Sequence, residues 1–313
     1  MKQPIRRTTG RSLLEERLTS GQLDDLGRVL SDAETFLGPD SLPQIDEITD
    51  FEAASQALSH GWQTIRTSAL GGGSALAERV DCGSVDELMD RMIRNERVVR
   101  TAQVSQRDSA VRTVREALAD LRDVTDTSLV IRAGAEAICR LGFDRAIVSR
   151  VEENTWLTEA IYVDGDSEWA AEILQAGRTM PQAIDGTLPE HEVRRRKRPV
   201  VVTRVQEREA VHRAVADASL SRSYVAAPIA PSNRVLGFLH ADRFFHRGDV
   251  TEFDAEVLGL FAQGYAFAME RAMVMEELEQ MRARIRDLGA GLVAFASDGT
   301  DALPGLARGP QAL

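Results

Sequence analysis

The chain has 313 residues, with 38 basic and 49 acidic side chains, a formal charge of −11 and a hydrophobic fraction of 43%, the balance of a soluble protein with one to three cores rather than a surface built for nucleic acid. No apolar run approaches the ~18–20 residues that span a bilayer, and no apolar segment follows the basic start MKQPIRRTTGRS, so a cytoplasmic protein without membrane partners is expected. Cys82 and Cys139 make neither a CxxC pair nor a four-ligand set, and HExxH, P-loop, GxSxG and strand-borne GxGxxG patterns are missing from the sequence, so neither an enzyme nor a metal or cofactor is expected.

Residues 1–125 are expected to be helical. Leu13, Leu14, Leu18, Leu23, Leu26, Val29 and Leu30 follow helical spacing, interrupted at Gly21. Leu42–Pro43 marks a break. A second helical pattern covers 51–69, and Gly71-Gly72-Gly73-Ser74 predicts a hinge. Ser84 and Glu87 form a capping-box pattern at the head of a long helix that runs to about Asp123. Within it Val111, Val114, Leu118 and Leu121 repeat at 3-4-3 spacing, the seam of a bundle or coiled coil. The segment reads as a helical dimerisation region.

From residue 126 the period changes. Thr127–Leu141 predicts a helix ended at Gly142. The runs 145–151 and 156–163 alternate and flank a short polar turn, which predicts a hairpin. Ser167–Ala176 predicts a short helix and 177–188 a loop. Pro189 suits the first turn of another helix. A strand follows over 199–205, then a helix over 208–218. The strands 223–230 and 234–242 make a second hairpin across Pro231-Ser232-Asn233. Tight hairpins force antiparallel pairing. Thr251-Glu252-Phe253-Asp254 caps a long helix. Phe253, Val257, Leu260, Gly264, Phe267, Arg271, Val274, Leu278, Met281, Ile285 and Leu288 recur at alternating 4 and 3 spacing, with Gly264 and Arg271 as interruptions. A second copy of the chain is the simplest partner for the distal half, so a homodimer is expected. The competing expectation packs this helix on the N-terminal ones.

The fold class is therefore α+β: a helical N-terminal region, an antiparallel sheet flanked by helices, and a long C-terminal helix. In order of elements, and in the stretch YVAAPIAPSNRVLGFLHADRF over 224–244, residues 126–275 resemble the GAF domain family of small-molecule sensors. The same stretch resembles sensory regions ahead of LuxR-type helix-turn-helix domains in actinobacterial regulators. The long helix continues over 276–288, and the Gly-, Ala- and Pro-rich 289–313 reads as a flexible tail or linker. No helix-turn-helix is evident, so DNA is reached only through one not visible in this chain.

The resemblance implies transcription regulation in response to a small organic effector. Mapped by element, it places the pocket near Tyr162, Trp169, Met180, His191, His212, Tyr224, Phe238 and His240. The NKFDE pattern of cyclic-nucleotide-binding members is missing from the sequence. The alternatives are a scaffolding GAF protein without an effector and a haem or redox sensor, with His191 or His212 as the iron ligand. Asp164, Asp166 and Asp185 read as turn residues. Arg194-Arg195-Arg196-Lys197-Arg198 reads as a solvated face with an anion or partner contact as the sharper option.

Overall fold

The computed structural model describes residues 18–48, 50–70, 82–232, 234–245 and 249–301, without the side chains of 69–70, 82–83 and 291–301. The expected Leu13–Leu14 turn, the 71–74 hinge, Asn233, His246 and 302–313 lie outside the described residues.

Helix α1 is Ser20–Leu37, α2 is Phe51–Leu70 and α3 is Cys82–Ala119. A reciprocal cap starts α1: Gln22 N donates to Thr19 Oγ1, and Thr19 N donates to Gln22 Oε1 at 2.9 Å. Leu26, Leu30, Phe51, Leu58, Ile65, Met92 and Val99 pack as one apolar cluster of these three helices. Helix α3 begins at Cys82, two residues before the Ser84 cap that the sequence suggests. It is roughly 57 Å long at 1.5 Å per residue. Its first half belongs to the N-terminal cluster, and Val114 and Ala117 in its second half, with Leu121 just past its end, join the core beneath the sheet.

The sheet module opens with α4, Thr127–Arg140, whose N-cap Asp126 accepts the Leu129 amide at 2.8 Å. The later elements are β1 (Arg145–Glu152), β2 (Thr155–Val163), α5 (Ser167–Thr179), β3 (Gln182–Ala183), α6 (Pro189–Arg196), β4 (Val200–Val202), α7 (Arg213–Ser219), β5 (Tyr224–Ile229), β6 (Gly237–Asp242) and α8 (Glu252–Asp301). The six strands lie in the order β3-β2-β1-β6-β5-β4, every neighbouring pair antiparallel. The architecture is α+β, as expected. Three expected elements differ. The loop expected over 177–188 holds the end of α5 and the two-residue strand β3. The helix predicted over 208–218 starts only at Arg213, after Val211, which packs with Val202, Val205 and Ala216. The tail predicted from 289 is helical to Asp301, a stretch with no proline before Pro304.

Period-2 alternation sorts the two sheet faces. Ala146, Val148, Val225, Ala227, Leu239 and Ala241 join Val130 and Ile138 of α4 and Phe261 and Tyr265 of α8 in one core. The opposite face is covered by α5, α6 and α7.

The two interruptions in the α8 repeat are where α3 docks. A Cβ on Gly264 would lie 2.3 Å from Leu118 Cδ1, so the helices approach closely there and a larger residue would have to push the Leu118 side chain aside. The Arg271 guanidinium donates to the carbonyls of Leu121 (2.8 Å) and Val124 (3.3 Å), just past the end of α3. The other edge of the repeat stays uncovered: Leu260, Phe267, Val274, Leu278, Met281, Ile285 and Leu288 are exposed. The proximal half of α8 thus meets the competing expectation along one edge, while the distal half to Ala290 is largely exposed among the described residues.

Candidate functional site

The strand residues that point away from α8 surround a cavity of about 50 Å³. Its apolar wall is Ile147 of β1, Ile161 of β2, Ile173 of α5, and Val205, Val211 and Val215 near α7. Its polar wall is made by three rings. Trp156, the second residue of β2, stacks on His240 of β6 with centroids 4.5 Å apart and planes 8° apart. The same indole meets His212 edge-on at 4.8 Å.

These rings have unusual polar accounts. Trp156 Nε1, both ring nitrogens of His212 and Nδ1 of His240 are buried without a partner among the described residues. Buried polar atoms are almost always paired, so such a cluster calls for a guest or water. Burial pushes the His212 imidazole down to about 4, which keeps it neutral near pH 7.

Behind His240 lies Glu190, which is wholly buried. It occupies the first turn of α6, after Pro189, where the helix dipole favours a carboxylate. Its Oε1 accepts the Tyr224 hydroxyl at 2.8 Å and lies 3.1 Å from His240 Nε2. Burial opposes the charge, yet the His240 hydrogen bond and charge, with the Tyr224 hydroxyl, hold the carboxyl below its ordinary value. Burial and the Glu190 charge drive the Tyr224 phenol well above its ordinary value.

The far wall is a buried ion pair. Arg145 Nε donates to Asp242 Oδ1 at 2.8 Å, and its Nη2 donates to Oδ2. Arg145 also donates to the Ser219 carbonyl, and Ser221 Oγ donates to Asp242. The guanidinium is sandwiched between Trp169 (4.7 Å) and Phe244 (4.4 Å). β1–β6 pairing sets Arg145 opposite Asp242.

The residues named from sequence separate accordingly. His212, Tyr224 and His240 line the cavity. Phe238 is fully buried behind it, in ring contact with Trp156 and His240. Trp169 braces Arg145 and donates to the Ala218 carbonyl at 3.0 Å. His191 is half-buried on α6 and does not line the cavity. Two lie elsewhere. Tyr162 pairs with Ala146 and packs with the α4 layer on the opposite sheet face, and Met180 is 63% exposed at the end of α5. Trp156, Glu190, Arg145 and Asp242 were not singled out from sequence. The available signal for Glu190 was an acid three residues from the apolar Val193 on one helix face.

Asp166 caps α5 by accepting the Trp169 amide, and Asp185 accepts from Thr187. Among the described residues no group of three His, Cys, Asp or Glu side chains could hold a metal ion. Cys139 is half-buried, and burial, then Asp164, raises its thiol, the opposite of an activated nucleophile. Arg195 and Arg196 pair with Glu192, and Arg194 with Asn154, so much of the basic run is spent on surface contacts.

Residues 124–270 match the family model described as GAF domain. This segment is a GAF domain. Solved structures similar to the chain include the free methionine-R-sulfoxide reductase from Neisseria meningitidis in complex with its substrate, 18% identical, TM-score 0.41, covering 52% of this chain and 90% of its own. The GAF domain/HD domain protein from Geobacter sulfurreducens is 17% identical, TM-score 0.40, with 50% and 98% covered. The GAF domain from a phosphoenolpyruvate-protein phosphotransferase of Coxiella burnetii is 13% identical, TM-score 0.43, with 54% and 96% covered. No curated protein matches the sequence. Among the described residues no helix is long and apolar enough to cross a membrane.

Proposed function

We propose that the GAF domain binds a small organic effector in the cavity beneath Trp156, His212 and His240, and that occupancy is relayed through the sheet to α8. The observation that carries this reading is the set of buried, unpartnered ring nitrogens around a largely apolar cavity. The relay follows from strand alternation. His240 faces the cavity, while its neighbours Leu239 and Ala241 face the core that holds Phe261 and Tyr265 of α8. An effector acts only through a difference in affinity between two helix arrangements.

The output is read as transcription control in the cytoplasm, on the sequence likeness of 224–244 to LuxR-type regulators. DNA contact on this reading is made outside the described residues. The exposed edge of α8 from Val274 to Leu288 supports pairing with a second copy of the chain.

The test is a melting-temperature screen of the chain against small metabolites. A ligand at a hundredfold excess over its Kd adds about 2.7 kcal/mol. A hit that loses its shift in Ala216→Leu, which narrows the cavity, supports the reading. A broad screen without a hit, from a variant-sensitive and well-folded protein, rejects it in favour of a scaffold that needs no effector.

A further inference from the structure

The walls of the cavity state what kind of molecule completes them. The indole N–H of Trp156 can only donate, so its partner must offer an acceptor. Neutral His212 has one donor and one acceptor, and neither is used. His240 spends Nε2 on Glu190 and leaves Nδ1 unpaired. A matching guest therefore both accepts and donates.

Charge is settled within the wall. Arg145 is neutralised by Asp242 in a bidentate pair. The buried Glu190 carboxylate is held through Oε1 by His240 and the Tyr224 hydroxyl, while its Oε2 has no partner among the described residues and Glu190 does not line the cavity. An anion would add a charge near two buried carboxylates. A cation would face Arg145, and the only carboxylate among the lining residues, Asp242, is already engaged, since the unpaired Glu190 Oε2 lies behind His240 and outside the lining. Neither finds a free counter-charge, and burying an unmatched ion is costly. Size adds a limit. With ~10–15 Å³ of such space per water-sized group, about 50 Å³ holds about four heavy atoms.

We infer that this cavity takes a compact, uncharged molecule carrying a carbonyl-type acceptor and an N–H or O–H donor, the class of small amides and hydroxycarbonyls. The methyl or methylene part of such a molecule meets Ile147, Ile161, Ile173 and Val211, while its polar end meets the three rings. The inference rests on the effector reading above and narrows it to one ligand chemistry.

Three probes of nearly the same shape separate the charge classes: acetamide, acetate and acetamidinium. Each is titrated into the whole chain carrying ¹⁵N-labelled tryptophan. The Trp156 indole resonance is assigned with Trp156→Phe and, should that variant fold poorly, by elimination with Trp62→Phe and Trp169→Phe. The expected result is a saturable shift of the Trp156 indole signal with acetamide, at least about tenfold tighter than with either ion, weakened in His212→Phe. Equal or tighter binding of acetate or acetamidinium overturns the uncharged class while leaving the effector reading intact. A cavity filled by water alone, with no saturable shift from any probe, also overturns the inference. The effector reading itself then stands or falls on the separate metabolite screen.

Discussion

Trp156 and His240 lie face to face with ring centroids 4.5 Å apart, one on β2 and the other on β6, with β1 between their strands. The stack places an indole over the imidazole whose other edge meets the fully buried Glu190. The cavity wall is therefore one coupled unit of aromatic contact and ionic pairing.

That coupling predicts an asymmetric response to mutation. His240→Leu leaves the Glu190 carboxylate buried with only the Tyr224 hydroxyl, and removing one partner of such a pair costs about 3–5 kcal/mol. Glu190→Gln removes the buried charge and keeps an oxygen for Tyr224, so its cost is smaller. In Glu190→Gln/His240→Leu part of the His240→Leu loss returns. Urea unfolding of the three variants measures this, and strict additivity would contradict the pairing.

The acid limb of stability follows from the same cluster. His212 titrates near 6.5 when unfolded and near 4 when folded. Between those values the unfolded chain binds more protons, so stability falls as pH drops from about 6.5 to about 4 and then levels off. At ~1.4 kcal/mol per pH unit the loss is about 3 kcal/mol. Glu190 adds to it lower down, because its stabilisation is present above its unfolded value near 4.5 and is lost as pH falls through its lower folded value. His212→Phe is expected to flatten the limb above pH ~4.5 in urea titrations, and an unchanged slope would place the proton uptake elsewhere.

Arg145 tests the far wall. It joins β1 to β6 through Asp242, reaches the Ser219 carbonyl at the end of α7, and fits between two aromatic rings. Arg145→Met leaves Asp242 buried with Ser221 as its side-chain donor and is expected to cost about 3–5 kcal/mol. Arg145→Lys recovers little, since an ammonium cannot make the bidentate pair or stack flat on Trp169. Thermal unfolding of both variants checks the order.

Gly134 tests how closely α4 and α8 approach. A Cβ there would lie 2.3 Å from the Tyr265 ring. That ring is fully buried and its hydroxyl donates to the Val130 carbonyl at 3.3 Å. Gly134→Ala is expected to destabilise by about 1–3 kcal/mol, as overpacking does, despite the better helix propensity of alanine. A neutral result in chemical denaturation would mean that the two helices separate easily.

The distal part of α8 tests the proposed dimer. Leu278→Asp/Ile285→Asp places charges on the exposed edge. Sedimentation equilibrium is expected to show a dimer for the parent and a monomer for the variant. Exposed positions change fold stability by only about 0.5 kcal/mol, so the melting of the sheet module stays put. A parent that sediments as a monomer would end the dimer proposal.

Much of the fold was legible because its signals are local. Alternation over 145–151 and 156–163 gave the first hairpin, and Thr251 with Asp254 gave the start of α8, where the two residues bond reciprocally. The site was less legible because its chemistry depends on pairing distant in sequence. Arg145 and Asp242 sit at strand ends and look like ordinary edge charges until β1–β6 register sets them opposite each other. Glu190 looks like an acid favoured in a first turn, and only tertiary packing puts it against His240. Tyr162 was placed by element, whereas its pairing with Ala146 carries it to the α4 side. Gly264 and Arg271 read as defects in a repeat, and contact with Leu118 and Leu121 turns them into a docking edge.

Helix α8 runs without a break from Glu252 to Asp301. Phe261, anchored under the sheet, and Asp301, at the far end, are ~60 Å apart along it. Such a rod acts as a lever: a tilt of about one degree at Phe261 swings the tip by about 1 Å. On the proposed relay, repacking beneath Leu239 that tilts α8 at Phe261 is amplified along the rod into a larger displacement at its far end.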